Sequence, residues 1–152
     1  MIKEFDKLGD LETELMLKAP ILVCILIAGA DGTIDKKEIR EAITITQKNK
    51  KTIGILASYF KEISEDFEDK LKVIMQGYPY ESTQRSPIII GELAELNKIF
   101  PKLDKTFAKS FYDTLIELAE KIAASSGGLL GIRSVGAEEA RYIHLPMIQK
   151  PV

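Results

Sequence analysis

The sequence predicts an all-α domain, and three observations predict it. Apolar residues recur at spacings of three and four along most of the chain, few stretches alternate strictly between polar and apolar, and the breaks carry capping residues such as Asp10, Asp35, Ser64, Ser86 and Asp104. A chain of 152 residues, 45% hydrophobic and 29% charged, is long enough for one domain with a substantial core and too apolar to stay disordered. One domain over residues 1–152 is expected, with its core between about residues 11 and 148.

Taken in order, Leu8, Leu11 and Leu15 form a first stripe, with Asp10 capping a helix that Pro20 breaks or restarts, since an interior proline loses one hydrogen bond and crowds the preceding turn. From Pro20 to Gly29 the next helix is apolar on every side, as an element surrounded by others must be. Lys36 to Lys48 predicts a third helix with Ile39, Ile43 and Thr46 inward. A further helix begins at Thr52, with Ile53, Leu56, Phe60 and Ile63 on one face. Ser64 caps the next, which carries Phe67, Leu71, Ile74 and Tyr78.

Residues 77–87, with Gly77, Pro79 and Pro87, predict the longest loop before the C-terminal third. Tyr78 and Tyr80 within it are expected to anchor the loop on the core with their hydroxyls in water, and they make it a candidate contact surface. Ser86-Pro87 predicts a cap and a first helical residue for a helix reaching about Phe100, closed by Pro101. Asp104 caps the longest helix, to about Ala124, whose stripe of Phe107, Phe111, Leu115, Leu118 and Ile122 lies beside a second stripe of Ala108, Tyr112, Ile116, Ala119 and Ala123. A glycine-rich connection over residues 125–136 leads to a last helix that starts near Ala137 and ends before Pro146.

The stretch that invites chemistry is Asp31-Gly32-Thr33-Ile34-Asp35-Lys36-Lys37-Glu38. Structurally, Gly32 turns the chain, Asp35 caps the new helix, Glu38 reaches back to the Asp35 amide, and Ile34 and Ile39 form a hydrophobic staple. The same residues match the second half of a calcium-binding helix-loop-helix, making Asp31, Asp35 and Glu38 candidate ligands for a weakly held divalent cation. The first half fails, because Ile27 and Gly29 stand where side-chain oxygens are needed; helix capping is therefore the favoured role. Ile34-Asp35-x-x-Glu38-Ile39 is echoed by Val135-Gly136-x-x-Glu139-Ala140, a hint of two related halves about a two-fold axis.

Other chemistries have little to build on. Cys24 is the only cysteine and His144 the only histidine, which excludes an intramolecular disulfide and a zinc site of several Cys and His ligands. Cys24, in an apolar run without charged neighbours, reads as a small buried hydrophobe. His144 reads as a partly buried structural side chain. Gly131 and Gly136 have P-loop spacing, but Ala137-Glu138 replaces the Lys-Ser/Thr and a helix precedes the loop, so no nucleotide cofactor is expected. No nucleophile is paired with a base, so no enzyme is expected either. The net charge is −2 and the short basic cluster Lys48-Asn49-Lys50-Lys51 lacks aromatics, a weak case for nucleic acid. The uncharged run from Ala19 to Ala30 is shorter than the roughly 20 residues of a membrane span. The mixed charges of Met1 to Lys7 do not resemble a secretory signal, so a cytoplasmic protein is expected.

Ala28-Gly29-Ala30-Asp31-Gly32-Thr33-Ile34-Asp35-Lys36-Lys37-Glu38, together with Ser126-Gly127-Gly128-Leu129-Leu130-Gly131, resembles the TerB-like domains of tellurite-resistance proteins and of the N-terminus of the co-chaperone DjlA. The resemblance spans about Leu11 to Ile148. It implies a bundle of about seven helices with an internal two-fold relationship, and a non-enzymatic adaptor or sensor in bacterial stress-response assemblies, sometimes near the membrane. Asp31, Asp35 and Glu38 match the first family motif; Glu139 matches the second, where Gly136 departs from the usual capping residue. A protein partner or a homodimer is the expected ligand, and a cation-binding sensor module at the acidic turn is the alternative.

Overall fold

The computed structural model describes residues 2–30, 34, 36–49, 54–125 and 141–151. Among these it is all-helical, without a strand. Six helices of two turns or more are α1 (Asp10–Ala28), α2 (Lys36–Asn49), α3 (Ala57–Ser64), α4 (Phe67–Gln76), α5 (Ser82–Ala94) and α7 (Lys105–Ser125), and a single turn, α6 (Leu96–Ile99), follows α5. Short 3₁₀ turns, Lys3–Phe5 and Phe100–Lys102, precede α1 and α7. This agrees with the expected bundle. The echo at Val135–Ala140 and the glycine-rich stretch fall outside the described residues, apart from Ser125 at the end of α7.

The C-terminal half of α1 is the axis of the molecule. Every residue from Ala19 to Ala28 is buried, and α2, α4, α5, α6 and α7 pack around it. Burying one Leu or Ile side chain stabilises by about 1.5–3 kcal/mol, so this uncharged run dominates the core. Contrary to expectation, Pro20 does not divide the segment. A proline at position 20 leaves the carbonyl of Met16 without its helical donor. Met16 is fully buried, out of reach of water, and the Tyr59 hydroxyl on α3 donates to that carbonyl at 2.6 Å. The helix continues because a distant side chain replaces the missing N–H. Asp10 is its first residue rather than its cap; Glu12 Oε1 accepts from the Gly9 N–H at 2.9 Å, and Glu12 Oε2 accepts from Lys102 Nζ at 2.6 Å.

Helix α7 follows its sequence closely. Asp104 Oδ2 accepts from the Phe107 N–H at 3.0 Å, and Phe107, Phe111, Leu115, Leu118 and Ile122 are all buried. Phe107 and Phe111 stack, while Tyr59 meets Phe111 edge-on at 5.2 Å between ring centroids. Such a pair adds about 0.5–1.5 kcal/mol beyond its burial.

Three other boundaries differ from expectation. Ser64 does not cap α4; its hydroxyl donates to the Lys61 carbonyl, and α4 starts after Asp66. The loop after α4 is short, because α5 begins at Ser82 and carries Pro87 inside it. Pro87 costs little there, since the carbonyl it orphans belongs to the exposed Thr83 in the first turn. Thr52 and Ile53 lie outside the described residues, and α3 starts at Ala57.

At the far end, Arg141 and Tyr142 are helical and the chain then turns, as expected for a helix ending before Pro146. Leu145 takes a left-handed backbone angle, φ 48°, with its side chain fully buried. Asn97 holds the segment that follows: Nδ2 donates to the Met147 carbonyl at 2.9 Å and Oδ1 accepts from the Gln149 N–H at 2.8 Å.

Candidate functional site

The face of α2 decides where a site can form. Glu38, Ala42 and Ile45, spaced four and three apart, turn inward and are buried together with Thr46. Ile39 and Ile43, expected to face the core, are half-buried and lie one position around the helix. They look into a groove of about 850 Å³ bounded by α2, α4 and the loop after α4. Ile34 and Met75 complete its apolar floor, and Tyr78, Pro79 and Tyr80 close one end.

The rim is basic. Lys36 and Arg40 on α2 and Lys72 on α4 are exposed at its edges, and among the described residues Glu68 is the one acid that lines it. Lys72 pairs with Glu68 at 2.9 Å, and that contact holds its ammonium pKa above the ordinary 10.5. Among the described residues Lys36 and Arg40 make no ion pair.

Arg85 fixes the end of the groove. Only 2% exposed, it donates from Nη2 to the Gly29 carbonyl at 2.9 Å and from Nη1 to the Tyr80 carbonyl at 2.5 Å, with a longer contact to Pro79. A cation at the C-terminal end of α1 is favoured by the helix dipole, and its flat fork suits two main-chain acceptors. Burial draws its pKa below the usual arginine value. Gly29 is required beside it, because a Cβ there would lie 2.4 Å from Nη2.

The two tyrosines behave differently. Tyr78, half-buried, donates its hydroxyl to Glu92 Oε1 at 2.7 Å rather than to water, and Glu92 Oε2 meets Lys18 Nζ at 2.9 Å. Burial first, and then this carboxylate, push the Tyr78 phenol up. Tyr80 does not anchor on the core; its main chain is pinned by Arg85, while the residue is 78% exposed.

Of the acidic turn, Asp31 and Asp35 lie outside the described residues, and the capping contacts expected of Asp35 lie there with them. Glu38 is 1% exposed, on the core side of α2. Its field reaches Cys24, whose thiol is pushed far up by burial first and by Glu38 second. Cys24 is therefore a protonated core residue, as expected, and no nucleophile. Among the described residues no three His, Cys, Asp or Glu side chains group as metal ligands. His144 is exposed rather than partly buried, since its turn carries Leu145 inward instead. No described helix is long and apolar enough to cross a membrane.

No protein-family model matches the chain, and no solved structure matches it. The uncharacterized protein ORF11′ of Methanothermobacter thermautotrophicus is 32% identical over 124 residues, covering 76% of this chain and 75% of that protein. The chain belongs to the ORF11′ family.

Arg40, Lys72 and Arg85, which the sequence does not single out, join Tyr78 and Tyr80 in the groove. Arg85 stands in a polar stretch with no local sign of burial. Along α2 the stripe of Glu38, Ala42 and Ile45 lies beside that of Ile39 and Ile43; both are visible in the sequence, and which of them meets the core is not.

Proposed function

We propose that the chain is a non-enzymatic interaction module that seats a protein partner in the groove between α2, α4 and the Tyr78–Tyr80 loop. One observation carries the reading: Tyr80 presents an exposed aromatic side chain, on a main chain pinned by Arg85, beside an apolar floor. An aromatic on a fixed backbone loses little entropy when covered, and a concave apolar surface with few polar groups is the usual form of a binding site. The resemblance of residues 28–38 to TerB-like domains supports an adaptor role and implies a cytoplasmic stress-response setting, tellurite or metal stress included.

The test compares the wild-type chain with an Ile43→Asp/Tyr80→Ala variant in affinity capture from a native lysate, beside sedimentation at micromolar concentration. A partner or a second copy bound by the wild type and lost in the variant is the expected result. Equal capture by both forms, or monomers without a partner, overturns the reading. Calorimetric titration with calcium, magnesium, manganese and zinc separates the cation-sensor alternative: saturable heat abolished by Asp31→Ala/Glu38→Ala would put the acidic turn in place of the groove.

A further inference from the structure

The groove also specifies its occupant. Its two long walls are helices, each offering residues at helical spacing: Lys36, Arg40 and Thr44 beside Ile39 and Ile43 on α2, and Glu68, Lys72 and Met75 on α4. The eight residue steps from Lys36 to Thr44 correspond to about 12 Å of wall, or roughly two turns of a helix laid alongside. The trough is partly open to solvent rather than enclosed. A lipid chain or small ligand is normally enclosed over most of its surface, so an open trough between two helices suits a third helix, packed ridge into groove.

Charge selects among helices. With Lys36 and Arg40 on one edge and Lys72 on the other, and Glu68 the one acid lining the groove among the described residues, the rim calls for carboxylates on both flanks of the entering helix. Lys72 can exchange Glu68 for a new carboxylate at little cost, because both side chains of that pair are more than half exposed. Arg40 can take a carboxylate through two parallel hydrogen bonds.

We infer that the groove binds an acidic amphipathic helix of a partner protein, with apolar residues at i, i+3 or i+4, and i+7 on the Ile39–Ile43–Met75 floor and Asp or Glu on its flanks toward Arg40 and Lys72. This rests on the docking reading above and adds the chemistry of the partner.

The experiment is a selection on the full-length chain from a displayed library of amphipathic helices, with a fixed apolar face and randomised flanks. Enriched sequences are expected to carry Asp or Glu on both flanks. Their binding should fall about tenfold or more on Arg40→Glu and on Lys72→Glu, and weaken as salt rises. Both positions are exposed, so the variants should melt as the wild type does, and circular dichroism checks this. Enriched helices with neutral or basic flanks that still lose binding on Ile43→Asp would overturn the acidic partner and leave the groove as a docking site. No enrichment, or helices indifferent to every groove substitution, would overturn both. Saturable oleate binding in the groove without enrichment of acidic helices would replace the helix with an anionic lipid.

Discussion

The Tyr59 hydroxyl donates to the main-chain carbonyl of Met16, the acceptor that Pro20 leaves vacant inside α1. The two residues are 43 apart in sequence and both are buried. Burial holds the Tyr59 phenol well above its ordinary value, so it stays a donor at any physiological pH.

This pairing predicts a specific non-additivity. Tyr59→Phe leaves a buried carbonyl unsatisfied and should cost about 1–3 kcal/mol. With Pro20→Ala the helix regains an N–H for Met16, and Tyr59→Phe should then cost about 1 kcal/mol less. Urea unfolding of the four forms gives the coupling; equal costs in both backgrounds would reject the relationship.

Arg85 should tolerate no conservative exchange. Lysine keeps the charge but cannot reach the Gly29 and Tyr80 carbonyls with one flat fork, so Arg85→Lys should cost about 1.5–3 kcal/mol. Gly29→Ala, which forces the guanidinium aside, should cost about 1–3 kcal/mol. Both should quicken amide exchange in residues 78–81, measured by mass spectrometry, while Tyr80→Ala should leave the melting curve within error.

Stability should fall on the alkaline side. Cys24 and Tyr59 hold their protons in the fold above their ordinary pKa values of 9.0 and 10.0, so the unfolded chain gives them up first. Stability from these groups is complete below pH 9 and declines as pH rises, by about 1.4 kcal/mol per pH unit for each group ionised only in the unfolded chain. Half-exposed Tyr78 contributes less. Denaturant midpoints from pH 7 to 11 measure the decline, and Cys24→Ala should remove the part between pH 9 and 10.

Cys24 should also resist thiol reagents. Alkylation by iodoacetamide should proceed only as fast as the chain opens, and should become complete in denaturant. Rapid labelling of the native protein would contradict the protonated, enclosed thiol.

Glu92 joins α1 to the groove through Lys18 on one oxygen and Tyr78 on the other. Glu92→Ala should cost about 1 kcal/mol, since the site is partly exposed, and should loosen the loop without unfolding α5. Chemical-shift changes confined to residues near 18, 78 and 92 would confirm the link.

The sequence makes local rules legible and leaves long-range ones hidden. The Asp104 cap, the stripes of α7 and the start of α2 at Lys36 follow from neighbours within one or two turns. The continuity of α1 depends on Tyr59, and the burial of Arg85 on a carbonyl 56 residues away, so neither is written nearby. Helix α2 shows the intermediate case. Two stripes compete along it, and the carboxylate of Glu38 goes inward beside Cys24, against the ordinary preference of charge for water. The floor of the groove is the stripe that the pattern alone assigns to the core, so only its Tyr78–Tyr80 end is legible in the sequence.

Asn97 gives the closing segment something no helix offers. Its side-chain amide is a peptide group in miniature, and it meets the Met147 carbonyl and the Gln149 N–H as a neighbouring strand would. An all-helical chain thus sets the register of its last residues by the grammar of a sheet. The latch reads backbone, so it leaves the side chains at 147 and 149 unconstrained while fixing which residues fall to either side. That register delivers Leu145 and Ile148 into the core. A slip of one residue would turn donor against donor.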